Sequence, residues 1–281
     1  MHRVTKALFL GLAASVLLGV PLWAQSPLLN VGGSSDASLP PIWTAADTRQ
    51  PSISLSPPLV LPRMAPELAL QKFQERAARQ LEQPVSYSAT TVVDADLPNT
   101  SQHGEFRLRR RFVAPKTLLF TPVKFVGDNF VKSNIIARLL QTEVDHVNKG
   151  EGAQTAISES NYKFSYKGTQ EIDGRTVHEF HVKPRKKGPG LFKGRVYLDA
   201  STGSLVRAEG TLVKTQSFFV KKVEFVQDYK DVGDYTFPVH ARSIAKTRLV
   251  GRAIVEIATS DYDLNPPTAS AAAGSSSNAS Q

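Results

Sequence analysis

Apolar residues along this chain recur in two rhythms. From Pro66 to Pro84 the step is helical. Leu70, Phe73, Ala77 and Leu81 repeat at three- and four-residue intervals, with Lys72, Glu75, Arg76 and Arg79 on the opposite side. Pro66 suits a first helical position, Glu67 suits the positive end of the dipole, and Pro84 stops the run. A second helical stretch extends from about Asp128 to Val147. Asp128 is its expected cap, Val131, Ile135 and Leu139 line one face, and Gly150 and Gly152 end it. The remaining central segments read as strands: 85–94, 104–113 and 117–126 before the second helix, then 162–171, 176–184, 191–199, 204–213, 217–229, 235–247 and 249–262. Ile172-Asp173-Gly174-Arg175 and Ala200-Ser201-Thr202-Gly203 join neighbouring strands as short hairpin turns. The pattern predicts an α+β fold: an antiparallel meander of about ten strands with two helices.

Side chains on a strand alternate between faces. Phe192, Val196 and Leu198 share a side with Gly194, while Lys193, Arg195, Tyr197 and Asp199 take the other. His178, Phe180 and Val182 oppose Val177, Glu179, His181 and Lys183; Phe219, Val223 and Phe225 oppose Lys222 and Glu224. The sheet therefore has one aromatic-rich face and one charged face. Two helices cover only part of so wide a sheet. Either it rolls into a closed barrel around its own side chains, or it stays open over an apolar hollow fit for an acyl chain. Alternation alone leaves both open, and Phe180, Phe192, Phe219 and Phe225 read equally well as ordinary core. Arg107, Arg109 and Arg111 fall on the exposed side of their strand, which puts Arg110 beside Leu108 and Phe112. A charge among apolar residues needs a partner, so Arg110 is a candidate for a polar contact inside the hollow. Lys183, Arg185, Lys186 and Lys187 crowd a turn ending Gly188-Pro189-Gly190. That turn is a candidate surface for anionic headgroups or an acidic partner, or else a solvated hairpin tip.

The ends of the chain differ in kind from its middle. Arg3 and Lys6 precede an uninterrupted apolar run from Ala7 to Val20, followed by Pro21-Leu22-Trp23-Ala24. A basic end, a short apolar core and a small-residue exit predict a signal peptide cleaved near Ala24; a bilayer crossing needs about 20 apolar residues. Residues 25–63 are rich in Pro and Ser and read as a disordered linker, 64–263 as the folded domain, and 264–281 as a disordered tail. Leu59-Val60-Leu61 of the linker is expected to fold back into an empty hollow. The chain has 281 residues and no cysteine, which excludes disulfides, thiolate metal sites and a lipidated cysteine. The expected compartment is a bacterial periplasm, where nucleotides and nucleic acid are not partners. There the net charge of +9 points to phospholipid headgroups, to an acidic envelope protein, or simply to solubility.

Catalytic signals are weak. His178-Glu179-Phe180-His181 falls one residue short of a helical zinc pattern and lies on a strand, where residues three apart point to opposite faces. No nucleophile elbow, phosphate loop or dinucleotide fingerprint occurs. Asp199, Asp228, Asp231, Asp234 and Asp261 sit mostly at turns, where Asp serves local hydrogen bonding. The expectation is no enzyme activity, no metal and no cofactor.

The order of elements and several short motifs carry a family resemblance. Tyr162-Lys163-Phe164 precedes Ile172-Asp173-Gly174-Arg175. Val182-Lys183-Pro184, Leu191-Phe192-Lys193-Gly194-Arg195-Val196-Tyr197-Leu198-Asp199, Ser204-Leu205-Val206-Arg207 and Asp261-Tyr262 follow in turn. This text resembles the bacterial outer-membrane lipoprotein-sorting proteins, the LolA-like fold. The resemblance implies a strongly curved sheet forming an incomplete barrel, with the two helices as a lid over its concave face. It implies non-covalent binding of lipid or an acylated protein by a monomer. The expected hollow is lined by Leu108, Arg110, Phe112, Phe180, Val182, Phe192, Val196, Leu198, Phe219, Val223 and Phe225. The alternative is an interaction or envelope-stress sensing module on the same fold, without lipid cargo. Three features depart from the carriers: the greater length, the Pro-rich leader and the scarcity of methionine, with two in the whole chain.

Overall fold

The computed structural model describes residues 62–215, 220–248 and 250–265. The signal peptide, nearly all of the linker with Leu59-Val60-Leu61, Phe219 and most of the tail lie outside these residues.

Helix α1 is Pro66–Glu82. Three strands follow, β1 Tyr87–Leu97, β2 Gln102–Val113 and β3 Thr117–Gly127. The second helical segment, α2, spans 129–149 and has three parts: an α turn Asn129–Val131, a π turn Lys132–Ile136 and an α-helix Ala137–Lys149. A short helix α3, Gly152–Thr155, leads into seven strands: β4 Tyr162–Ile172, β5 Arg175–Pro184, β6 Phe192–Asp199, β7 Leu205–Leu212, β8 Val220–Val232, β9 Tyr235–Thr247 and β10 Arg252–Leu264.

All ten strands form one antiparallel sheet in the order β3-β2-β1-β10-β9-β8-β7-β6-β5-β4. Among the described residues, only the β1–β10 pairing joins strands distant in sequence. Strands β3 and β4 end the order and do not pair, so the expected incomplete barrel forms and the closed barrel does not. One long apolar face packs inward. A single buried cluster gathers residues from α1, α2 and every strand. The opposite face carries a small patch of Val177, Tyr197 and Val206.

Local chemistry explains the hairpins. Asp173 and Gly174 both have positive φ, 49° and 74°, the twist a two-residue hairpin requires. At the next turn the Asp199 carboxylate accepts from the Ser201 and Thr202 N–H groups. Gly194 faces Gly210 across β6 and β7. A Cβ on Gly194 would collide with the Glu209 carbonyl oxygen, so the close approach of these strands requires glycine.

Several local expectations are corrected. Asp128 is extended and precedes α2, but its side chain makes no capping bond; its carboxylate accepts from the His103 N–H at 2.9 Å instead. Arg76, on the polar face of α1, is half-buried. It donates to Ser204 Oγ at 2.6 Å and to Asp231 at 2.8 Å, pinning α1 to the sheet. Val220 is buried with Val223 because the β8–β9 register shifts between Val220 and Lys222, which strict alternation does not foresee. Strand β10 runs to Leu264, and Asn265 donates to the Ser86 carbonyl, so the ordered chain extends past the expected strand end at 262.

Candidate functional site

The inward face of the sheet is the candidate site. Leu108, Phe112, Phe180, Val182, Phe192, Val196, Leu198, Val223 and Phe225 are all buried at 4% exposure or less and belong to one contiguous apolar cluster. Phe192 meets Phe225 edge-to-face at 5.0 Å and Tyr162 at 5.4 Å. Towards the β1 side, Tyr87 contacts Phe112, Phe237 and Tyr262, and Phe237 stacks on Tyr262 at 4.6 Å. Ile135, Ile136, Leu139 and Val147 of α2 close over this surface and are themselves buried.

Arg110 sits inside this cluster at 2% exposure, as its neighbours Leu108 and Phe112 require. Its partner is Glu143 of α2. Arg110 Nη2 donates to Glu143 Oε2 at 2.7 Å, and Nη1 lies 2.6 Å from Oε1. The guanidinium also stands over the Phe120 ring, 5.4 Å from its centre. Burial pushes the Glu143 carboxyl up to about 7, with Arg110 pulling the other way. Burial opposes the Arg110 charge too. There Glu143 and the two tyrosines, Tyr87 and Tyr262, outweigh it, so its pKa lies above the ordinary arginine value. The Tyr87 hydroxyl is raised by burial. Arg110 Nε makes no hydrogen bond among the described residues. The pair thus joins sheet to helix at the centre of an apolar interface.

Glu143 was missed by the sequence reading, although a signal was present. It lies four residues after Leu139 and four before Val147, where the apolar stripe of α2 should continue. The π turn was missed as well. It spans Lys132–Ile136, and Ile135, Ile136, Leu139 and Leu140 all face inward.

The other candidates separate from this site. Lys183, Arg185, Lys186 and Lys187 are exposed, and Arg185 Nε donates to the Glu159 carbonyl at 2.6 Å. His178 and His181 do not converge: His178 Nε2 contacts the Met64 carbonyl and His181 Nε2 contacts Glu179. On the outer face Asp94, Asp96 and His103 bring three possible ligand atoms within 4.8 Å of one another. These groups already serve each other. His103 Nδ1 lies 2.8 Å from Asp96, and that hydrogen bond raises the imidazole pKa.

Residues 154–262, from α3 through β10, match a family described as a family of unknown function, DUF5686. No curated protein matches the sequence. Among solved structures, the chain is similar to a putative outer membrane lipoprotein-sorting protein domain from Vibrio parahaemolyticus. Identity is 17%, coverage 72% of this chain and 94% of that one, and the TM-score 0.41. A DUF1329 family protein from Desulfovibrio piger is similar at 10% identity over 72% and 96%, with a TM-score of 0.39. A LolA superfamily protein from Nitrosomonas europaea follows at 10% identity over 72% and 94%, with a TM-score of 0.34. No helix among the described residues is long and apolar enough to cross a membrane.

Proposed function

We propose that this is an exported, periplasmic binding protein that takes an acyl chain between α2 and the concave face of its sheet, without covalent chemistry. One observation carries the reading: an extended apolar surface lies beneath a helix that a buried ion pair, Arg110–Glu143, ties to the sheet. Apolar cores are ordinarily closed by apolar contacts, and a buried ion pair adds little stability over a well-packed apolar pair. It does supply a contact that separates as a unit, which suits a cover that lifts. When α2 lifts, Leu108 and Phe112, which flank Arg110 on β2, face the space it leaves. Apolar burial then supplies about 0.8 kcal/mol for each methylene of a chain lying against them. The proposed residues of the hollow are those named from the sequence that the structure describes, with Glu143 added.

Native mass spectrometry of the mature protein purified from a bacterial periplasm tests this. The expected result is a set of mass additions that organic extraction removes, and rebinding of a fluorescent fatty acid to the stripped protein. A sample that carries no lipid and refuses the probe would overturn the reading.

A further inference from the structure

The free edge of the sheet at β3 is unlike the rest of the surface. The strand pairs with β2 on one side and ends the strand order. Leu119, Val123 and Val126 are 52%, 63% and 53% exposed. Phe130, where α2 begins, is exposed too. The register sets Thr121 opposite Arg109 and Lys124 opposite Arg107, with Leu119 opposite Arg111. Cross-strand partners share a face, so Leu119 lies beside Arg111, and Thr121 and Lys124 lie beside Arg109 and Arg107. Arg107, Arg109 and Lys124 are exposed. Acidic groups lie towards the far end, with Glu105 opposite Val126 and Asp128 held by the His103 N–H.

An added strand, from a second copy or a partner, fits this edge poorly. Pro122 brings no N–H to a ladder, Val123 is the extra residue where the register shifts, and Lys124 follows. Proline, a bulge and lysine are the devices by which edges resist further pairing. Yet the apolar side chains remain exposed, which a strand meant only to stay single does not require. A phospholipid surface satisfies both facts. Apolar side chains enter the interfacial layer, arginines and lysine meet phosphates, and the unpaired backbone groups stay at headgroup depth. There phosphate and water can satisfy them, as hydrocarbon cannot.

We propose that the Leu119–Lys124 stretch of β3, with Arg107 and Arg109 of β2, docks the protein on an anionic phospholipid bilayer. This goes beyond acyl-chain binding in the hollow and does not depend on it, because docking is read without any cargo. The experiment is co-flotation of the mature chain with vesicles of phosphatidylcholine alone or containing phosphatidylglycerol, at low and high salt. Binding to the anionic vesicles, weakened by salt, is expected. Arg107→Gln/Arg109→Gln should weaken it about 25-fold, taking roughly fivefold for each basic side chain near the surface. Leu119→Ser/Val123→Ser should weaken it with an unchanged melting temperature, since both positions are exposed. No flotation of the wild-type chain overturns the proposal. So does unchanged binding of both variants, or loss only when Lys183, Arg185, Lys186 and Lys187 are neutralised, which assigns docking to the hairpin. A wild-type dimer that Leu119→Ser/Val123→Ser converts to monomer, with no vesicle binding, makes the edge a self-association surface instead.

Discussion

Arg110 shows how much one residue can disclose. Alternation along β2 put it among Leu108 and Phe112, and its charge demanded a partner. Its burial followed from sequence, whereas Glu143 lies on a different element and the pairing depended on how α2 crosses the sheet. The two members should respond unequally to substitution. Glu143→Leu leaves a buried guanidinium that cannot give up its proton, and should cost about 3–5 kcal/mol. Arg110→Met leaves a carboxyl that can neutralise itself, and should cost clearly less. The double variant should recover most of the loss, which urea unfolding of all four proteins would measure; additive losses would show that the two side chains do not interact. Glu143 also predicts a pH dependence. Its folded pKa of about 7 lies above the ordinary 4.5, so the folded protein binds the extra proton between those values. The contribution of Glu143 to stability is therefore complete below about pH 4.5 and is lost as pH rises through about 7. The difference in stability between wild type and Glu143→Gln, followed by thermal unfolding across that window, should move against the wild type as pH increases.

At the scale of elements, strands were easier to read than helices. Turn chemistry such as Asp173-Gly174 and period-two patterning are local, and the strands lie close to their expected positions. α2 departs from its expectation because a π turn at Lys132–Ile136 depends on what the helix packs against. Val131, Ile135, Ile136, Leu139 and Leu140 are all buried and fall on one side of the helix, so the apolar stripe alone does not reveal the π turn. Such a helix, lying on the sheet rather than paired within it and carrying a π turn, should open before the sheet does. Hydrogen–deuterium exchange should therefore be faster along 132–147 than in β1 and β10, which pair with neighbours on both sides. Equal protection in helix and central strands would count against a cover that lifts. α1 should be the slower of the two helices, because Arg76 and Gln80 tie it to β8 and to the start of β9.

Across the whole molecule, two surfaces of different character come from one sheet. The concave face is continuous and apolar, and its helices complete it. The edge at β3 keeps exposed apolar residues beside Arg107, Arg109 and Lys124. A protein that exchanges acyl chains with a bilayer needs both a sheltered interior and a place to touch the membrane. The two proposals fit together on that ground while remaining separately testable.

The sequence by itself determined the strands, their turns, the inward and outward faces and the α+β class, because each rests on neighbours within a few residues. The open barrel was implied by family resemblance but not by the residue pattern; only the tertiary structure decided that the sheet does not close, that Glu143 answers Arg110, and that β3 becomes a free edge. Each of these depends on which distant elements meet: β1 pairs with β10, and the chain between β3 and β4 passes through α2 and α3 rather than pairing the two strands. Alternation and periodicity carry no information about that closure.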